Sequence, residues 1–353
     1  MAYKNFAEID SNFRVETTLK SEGLAFRSIM DAPFSVHGIF FEGGAFRRLP
    51  EALAKSLNAR IEVLHQHTAG GRVRFVTDSR VIAIHVKLAA VTKMPHFALT
   101  GSIGVDLYAD HVYHATFMPP FDITDTLEGK TKFDTKQRRE ITLNLPLYTG
   151  VVAMYVGLEE DATLEAARPY RIEKPVVYYG SSITQGGCAS RPGAAYESIL
   201  SRRFDCDHIN LGFSGNAKGE DSMAAYIASL DMSAFVLDYD HNAPTPAHLA
   251  ATHENVYRAV REAHPDIPVL MLTRPKVNLN DEEIERRNVV YKTYTDARAN
   301  GDDNIYFLDG KALMALCGDE GTVDLCHPTD LGFFSMASAI GAVFEKQFHW
   351  GLF

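Results

Sequence analysis

The sequence predicts two domains of different fold class: an antiparallel β-sandwich over residues 1–172 and an α/β domain over residues 173–353. Short segments of alternating apolar and polar residues fill the first half, which is typical of strands with one buried face. Compact apolar strands alternate with helical stretches in the second half, which is typical of a parallel sheet. The length of 353 residues also favours two domains over one.

Five segments of the first half are expected to be strands of the sandwich. Each is rich in β-branched or aromatic residues, and turn residues separate them. The segments are 72–76, 81–86, 111–117, 140–145 and 151–156. Strands at such short spacing predict antiparallel pairing in two packed sheets.

The second half contains five short apolar segments that we expect to be parallel strands. They are 176–179, 208–211, 235–237, 269–272 and 305–308. Thr245 and Pro246 are the residue types that begin a helix, and Asn280 with Glu283 predicts a capping box at the start of another. Helices between strands predict a sheet covered on both faces. The domain boundary is expected within the polar, proline-bearing segment 169–175.

Composition and charge exclude some classes of binding partner for this protein. The formal net charge of -10 argues against a nucleic acid or an anionic membrane as partner. No apolar run reaches the length that spans a bilayer, and the first ten residues lack the pattern of a secretory leader. The four cysteines form no CxxC pair, so we expect reduced thiols and a cytoplasmic protein. The oligomeric state is left open, a homo-oligomer included.

Polar residues follow the predicted parallel strands at the ends where such sheets bind ligands. Ser182 follows the first strand, and Asp324 and His327 follow the last. A serine hydroxyl becomes a nucleophile when a base takes its proton and a third group orients that base. We therefore predict Ser182 as nucleophile, His327 as general base and Asp324 as the residue that orients it.

Other interpretations of these residues are open from the sequence. Ser182 alone fits an ordinary N-cap. Asp324 and His327 fit a surface pair, or a metal site together with Asp240, His241 or Cys326. Acyl-transfer chemistry explains more of the neighbouring residues than a metal does, so we expect neither a metal nor a cofactor.

Three further residues are candidates for contact with a substrate. Asp240 and His241 follow the third strand, and Arg191 lies shortly after Ser182. An arginine in such a loop either holds a substrate oxygen or braces backbone carbonyls.

Two histidines in the first half of the chain could be taken for metal ligands, but another interpretation is favoured. His65 and His67 alternate in sequence, so on a strand they would share one face, as paired metal ligands do. Without a third ligand nearby, we expect them to be exposed strand residues.

Four segments of the second half together resemble the SGNH hydrolases, also called GDSL esterases. Gly180-Ser-Ser-Ile183 stands where that family has its nucleophile block, and Asp324-x-x-His327-Pro328 resembles its last block. The resemblance implies a flavodoxin-like fold, Ser182 as nucleophile, and Gly215 and Asn242 as donors to an oxyanion. The Ser182 N–H at the start of the following helix would complete a hole of three donors.

The sequence departs from the family pattern at two places. Ser181 replaces the usual aspartate, and Asp240-His241 precedes Asn242 where glycines are common. The aspartate takes no part in the charge chemistry, so its loss is tolerable. The second departure affects how closely the backbone before Asn242 can approach a substrate, because Asp240 and His241 have side chains that glycines lack.

A narrower resemblance covers the first half. Gly104-Val-Asp106-Leu-Tyr108 resembles the Gly-x-Asp-Leu-Tyr signature of an N-terminal, jelly-roll-like sandwich in one bacterial subgroup of these esterases. We expect this run to stabilise the sandwich or its contact with the second domain. Similar proteins often act on acylated carbohydrates, and some transfer acyl groups to natural products.

The predicted function is therefore hydrolysis of a short-chain, acetyl-like ester on a carbohydrate or another polar small molecule. An acyltransferase with the same triad is the alternative, because a bound alcohol can replace water in the second step. A carbohydrate-binding protein without catalysis is a third possibility. The presence of all five expected site residues argues against it: Ser182, Gly215, Asn242, Asp324 and His327.

Overall fold

The computed structural model describes Leu19 and residues 22–353. The first ten residues, on which the expectation about a secretory leader rests, lie outside this part of the chain. The predicted N-terminal domain likewise begins outside it.

Two large antiparallel sheets and a small two-stranded sheet over residues 40–47 form the first half. Up to residue 165 the described chain holds twelve strands: β1 (Leu24–Ser28), β2 (Ser35–His37), β3 (Phe40–Glu42), β4 (Ala45–Arg47), β5 (Arg72–Thr77), β6 (Val81–Leu88), β7 (Val105–Ala109), β8 (Val112–Phe117), β9 (Thr126–Lys132), β10 (Arg139–Asn144), β11 (Val151–Glu159) and β12 (Leu164–Glu165). One sheet has the order β1-β11-β6-β9 and the other β12-β5-β10-β7-β8, with β2 paired to β5. The predicted sandwich is confirmed, and all five expected strands are present.

A five-stranded parallel sheet forms the second half. Its strands are β13 (Ile172–Gly180), β14 (Cys206–Gly212), β15 (Ala234–Asp238), β16 (Val269–Leu272) and β17 (Ile305–Leu308). The order β14-β13-β15-β16-β17 is the flavodoxin-like arrangement, in which the chain reverses direction across the sheet next to its first strand. The carboxyl end of β13 therefore lies at the switch point, where such sheets place a ligand.

Nine α-helices complete the described chain. They are α1 (Glu51–Leu57), α2 (Ala59–Leu64), α3 (Leu99–Ser102), α4 (Tyr196–Phe204), α5 (Asp221–Ala228), α6 (Pro246–Ala263), α7 (Asp281–Ala299), α8 (Gly310–Leu313) and α9 (Asp330–Lys346). The side chain of Thr245 accepts a hydrogen bond from the N–H of His248 and caps α6. Asn280 and Glu283 form the predicted capping box of α7. Local capping chemistry thus fixes both helix starts.

Apolar cores cover both faces of the parallel sheet. Successive residues of β13 alternate between the faces: Val177 and Tyr179 pack with α5, α6 and α7, whereas Val176 and Tyr178 pack with α4 and α9. A strand buried on both sides is hydrophobic at nearly every position, as the sequence of β13 is. This packing holds the carboxyl edge of the sheet rigid.

The expectation that His65 and His67 are exposed strand residues was wrong, because neither lies on a strand and neither is exposed. His65 follows α2 as its C-cap, is 1% exposed and bonds through Nδ1 to the carbonyl of Ile61. His67 lies in the loop after it. Asn58 caps α2 through its side chain, and this cap starts a helix where alternation alone had indicated a strand.

The Gly-x-Asp-Leu-Tyr run joins the two halves. Asp106 on β7 is fully buried and accepts hydrogen bonds from the side chain of Asn144 and from the Gly193 N–H, both at 2.7 Å. Its Oδ2 also lies 3.3 Å from Nη1 of Arg191. The run therefore contacts the segment that follows the proposed nucleophile. This agrees with the expectation that it stabilises the contact between the sandwich and the second domain.

Within residues 22–353, no helix combines the length and the apolar character that crossing a bilayer requires.

Candidate active site

Ser182 lies in a tight turn directly after β13. The Gln185 N–H donates to the carbonyl of Ser181, and the Gly187 N–H donates to the carbonyl of Ser182. The prediction that a helix begins at Ser182 was wrong, because α4 begins only at Tyr196. Gly186 and Cys188 have φ values of +92° and +74°, and this left-handed backbone breaks the turn before a helix can form. A helix dipole at Ser182 is therefore not part of the site.

Three side chains from two distant segments meet at this turn. The Oγ of Ser182 lies 2.9 Å from Nε2 of His327, and Nδ1 of His327 lies 2.8 Å from Oδ2 of Asp324. Asp324 is acceptor-only as a carboxylate, so Nδ1 carries the proton and Nε2 can accept the hydroxyl proton of Ser182. The structure thus brings together the three residues that the sequence had predicted as a catalytic set.

Backbone contacts hold Asp324 in place. Its Oδ1 accepts from the N–H groups of Cys326 and His327, at 3.0 and 2.7 Å. Partial burial acts to raise the pKa of Asp324, but these bonds and the imidazole of His327 hold it below its usual value. Leu325 adopts a φ of +63°, which allows the short loop to fold back so tightly. The carboxylate is therefore charged at neutral pH.

The three N–H donors expected from the sequence to bind an oxyanion are unpaired in the described chain. The N–H groups of Ser182 and Gly215 donate no hydrogen bond there. The Oδ1 of Asn242 accepts from the Ala217 N–H at 3.4 Å, which leaves the Nδ2 hydrogens of the amide free. A developing oxyanion needs donors that are not already engaged, so these groups are available for that role, which stays a prediction.

A glutamine from the nucleophile turn fixes the loop that carries Gly215. The Oε1 of Gln185 accepts from the Ser214 N–H at 3.0 Å. Its Nε2 lies 3.0 Å from Nδ1 of His67 and donates to the carbonyl of Leu147 at 3.1 Å. Two residues of the sandwich therefore hold the side chain that positions the Gly215 loop.

Arg48 braces the same region from the sandwich side. Its guanidinium is 1% exposed and donates to four carbonyls, among them those of Asn210 and Gly212 on β14. Burial lowers the pKa of Arg48 to about 9, so it still carries a charge at neutral pH. Four carbonyl acceptors replace the water that this charge has lost.

Tyr148 contacts the nucleophile directly. Its hydroxyl donates to the carbonyl oxygen of Ser182 at 3.2 Å. Sequence reasoning missed Tyr148, Arg48, Gln185 and His67. Gln185 lies inside the recognised nucleophile segment, but no local pattern marks the other three.

The three candidate substrate residues have protein partners. Each carboxylate oxygen of Asp240 accepts a hydrogen bond, one from His241 and one from the Arg274 N–H at 3.0 Å. Asp240 therefore holds the loop before Asn242. Arg191 contacts the carboxylate of Asp106 and the Tyr108 hydroxyl, so its partners here are side chains of the sandwich and not the backbone carbonyls of the bracing interpretation. Contact of any of the three with a substrate stays a prediction.

Comparison with known proteins gives the class of this chain. Residues 173–345 match the sequence model of the GDSL-like lipase/acylhydrolase family, and residues 24–164 match that of the N-terminus of SGNH-hydrolase-type esterases. The chain belongs to the SGNH (GDSL-like) hydrolases that carry this N-terminal domain, and it is a carboxylic ester hydrolase. A comparison with curated proteins finds no match.

Solved structures share the whole two-domain fold. A structure from Bacteroides ovatus described as a GDSL-like lipase is 28% identical, with a TM-score of 0.83 over 93% of this chain and 99% of the other. The salicylyl-acyltransferase SsfX3 of a tetracycline biosynthetic pathway is 20% identical, with a TM-score of 0.74 over 91% and 96% of the chains. A family two carbohydrate esterase from Clostridium thermocellum is 14% identical, with a TM-score of 0.61 over 90% and 99%. The latter two are similar in fold.

Proposed function

We propose that this protein is a serine esterase that removes a short, acetyl-like acyl group from a carbohydrate or another polar small molecule. The observation that carries the proposal is the 2.9 Å separation between Ser182 Oγ and His327 Nε2, with Asp324 2.8 Å behind the imidazole. The N–H groups of Ser182 and Gly215 and the Asn242 amide, which have unpaired donors within the described chain, support it.

In the proposed mechanism, Ser182 Oγ attacks the ester carbonyl while His327 Nε2 takes its proton. The tetrahedral oxyanion accepts hydrogen bonds from Ser182 N–H, Gly215 N–H and the Asn242 amide. His327 then gives the proton to the departing alkoxide, and an acyl-enzyme remains. His327 next takes a proton from water, and the hydroxide formed attacks the acyl carbon. The same sequence of steps releases the acid and restores Ser182.

The mouth of the site supports a polar alcohol group. The side chains of His327 and Asp324 are 23% and 41% exposed, so the base meets solvent and a bulky leaving group can reach it. Carbohydrate esterases and an acetyl xylan esterase from Butyrivibrio proteoclasticus share the two-domain fold, which favours acylated carbohydrate as the substrate class.

Turnover of p-nitrophenyl esters graded by acyl length tests this proposal. We expect fast hydrolysis of the acetate, a steep fall with chain length, and loss of turnover in Ser182→Ala. The exposed Ser56 offers the matched control, Ser56→Ala, which should keep full activity. Equal rates for Ser182→Ala and the parent chain would overturn the assignment.

The acyltransferase alternative has one observation in its favour, the fold shared with a salicylyl-acyltransferase. In that case a bound alcohol competes with water for the acyl-enzyme. Measuring how the acyl group partitions between free acid and new ester, with added polyols, separates the two. If the fraction of acyl groups that form new ester exceeds the mole fraction of the polyol in the solvent, the result would favour the acyltransferase alternative.

A carbohydrate-binding protein without catalysis makes a different prediction. Such a protein would bind glycans and leave a serine-directed fluorophosphonate unreacted.

A further inference from the structure

A cluster of two histidines and a cysteine lies at the mouth of the site. His96, in the sandwich loop before α3, places its ring 5.9 Å from that of His327, measured between centroids. Cys188 comes from the end of the nucleophile turn. One ligand atom from each of the three residues lies within 4.8 Å of the other two. Two domains thus contribute to one cluster.

Two of the three cluster members have no hydrogen-bond partner in the described chain, and the third, His327, contacts Ser182 through Nε2. His96 is exposed, and within the described chain its ring makes no hydrogen bond. The thiol of Cys188 is half-buried and unpaired in the same part of the chain. The left-handed backbone of Cys188, with a φ of +74°, is an uncommon conformation for a residue with a side chain. Neither residue has a role in the proposed hydrolysis.

The donor set suits a soft divalent cation. Two imidazole nitrogens and one thiolate are ligands that Zn²⁺ and Cd²⁺ prefer, with a fourth position left for water. Ligand atoms around tetrahedral zinc lie roughly 3.3–3.8 Å apart. The separations here are within 4.8 Å, and rotation of the exposed side chain of His96 can close the remaining difference.

Asp324 adds a second feature of metal sites. A histidine that binds a metal usually donates its other N–H to a carboxylate, which fixes the tautomer and makes the ligand nitrogen more basic. His327 donates Nδ1–H to Asp324, so its Nε2 has the lone pair for a metal. The arrangement that prepares a general base also prepares a ligand.

Two other clusters of possible ligands fit a metal less well. In the group Asp324, Cys326 and His327, both carboxylate oxygens already accept N–H donors. In the group Asp238, Asp240 and His241, Oδ1 of Asp238 and Nε2 of His241 have no partner among the described residues, but both aspartates are buried and both oxygens of Asp240 already accept hydrogen bonds. Among the described residues, the mouth cluster differs from both in that it combines an exposed histidine with a thiol that has no partner.

We propose that His96, Cys188 and His327 form an inhibitory site for Zn²⁺ or a similarly soft divalent cation. Binding forms two metal–nitrogen bonds and one metal–sulfur bond, and the thiol proton passes to solvent. Nε2 of His327 then cannot take the proton of Ser182, so hydrolysis stops until a chelator removes the metal. The inhibition rests on the proposed function, whereas the binding site does not.

Cobalt binding tests the site without any need for activity. We expect chelator-treated Ser182→Ala protein to bind one Co²⁺ and to show a sulfur-to-cobalt charge-transfer band. Cys188→Ser in that background should lose the band, and His96→Ala should weaken binding at least tenfold. Cys326→Ser is the matched control, because this thiol also lies beside His327, and it should retain the band. A band that survives Cys188→Ser, or no binding at all, overturns the site.

Zinc inhibition tests the consequence. We expect Zn²⁺ to inhibit p-nitrophenyl acetate hydrolysis reversibly, and the half-inhibiting concentration to rise at least tenfold in His96→Ala and in Cys188→Ser. Each variant is compared with its own metal-free rate. An unchanged half-inhibiting concentration in both variants contradicts the proposal. If the chain hydrolyses no ester, the cobalt experiment still decides the site, so the two proposals fail separately.

Discussion

His67 of the sandwich accepts a hydrogen bond from Gln185 of the nucleophile turn, across 3.0 Å between Nδ1 and Nε2. Burial, with nearby Arg48 as a lesser cause, lowers the pKa of His67 to about 3. The imidazole is therefore neutral at any working pH, and its Nδ1 remains an acceptor. Because Gln185 also accepts the Ser214 N–H, the sandwich helps to position the loop with the proposed oxyanion donor Gly215.

The first prediction concerns this contact. His67→Leu removes the acceptor, so Gln185 is held less firmly and the Gly215 loop loses order. We expect kcat to fall about tenfold, which corresponds to one hydrogen bond of about 1.4 kcal/mol, with KM nearly unchanged. His67→Asn keeps an acceptor near the position of Nδ1 and should restore most of kcat. Steady-state kinetics on p-nitrophenyl acetate check both variants, and equal losses in the two would contradict a positioning role.

The second prediction concerns the proposed oxyanion hole. Asn242→Ala removes one of three donors to the charge that develops in the transition state. We expect kcat to fall about 10²–10³-fold, with a smaller change in KM. Asn242→Asp keeps the shape of the side chain but loses the N–H donors, so it should be at least as impaired. Near-normal kcat in both variants would remove Asn242 from the mechanism.

The third prediction concerns the joint between the domains. Asp106→Asn puts an amide where one carboxylate now accepts hydrogen bonds from Gly193, Asn144 and Arg191. We expect the free energy of unfolding in urea to fall by about 2–4 kcal/mol, since the amide NH2 group replaces one of the two acceptor oxygens and leaves a buried donor without an acceptor. Asp122→Asn on the exposed surface is the control, with a change within about 0.5 kcal/mol.

A double variant separates the charge from the packing at this joint. Adding Arg191→Gln to Asp106→Asn removes the cation whose carboxylate partner the single variant has already replaced by a neutral amide. The double variant should lose less than the sum of the two single losses. Additive losses would show that the two side chains do not act as a pair.

The fourth prediction concerns pH and stability. His253 is fully buried in α6 against Thr293, and burial lowers its pKa to about 4. The unfolded chain takes up a proton near pH 6.5 whereas the folded chain does not, so stability falls as the pH drops below that value. Between pH 7.5 and 5.5 this residue should cost about 1 kcal/mol.

Urea unfolding at the two pH values measures this cost. His253→Asn keeps a polar contact near Thr293 without a titrating group, so it should show a smaller loss on acidification. Parallel losses in the variant and the parent chain would assign the pH dependence to other buried histidines, such as His208.

The fold was largely predictable because its signals are local. Alternation marked the strands of the sandwich, and the caps at Thr245 and Asn280 marked the starts of α6 and α7. The helix expected at Ser182 was wrong because left-handed backbone at Gly186 and Cys188 overrides the local pattern. The strand expected at His65 was wrong because Asn58 caps a helix ahead of it.

The candidate site was predictable only in part. Ser182, Asp324 and His327 lie in recognisable segments, and the structure brings them into contact. The residues that support them come from far along the chain: His67 meets Gln185 across 118 positions, and Arg48 meets Gly212 across 164. Such contacts depend on how two domains pack, and no periodicity or spacing in the sequence encodes them.

Reaction with a fluorophosphonate tests the central claim most directly, because the reagent is attacked only by an activated serine. Peptide mass mapping should place one adduct on Ser182, and the labelling rate should fall about 10³-fold or more in His327→Ala. An adduct on another serine, or a rate that His327→Ala leaves unchanged, would contradict the proposed catalytic set.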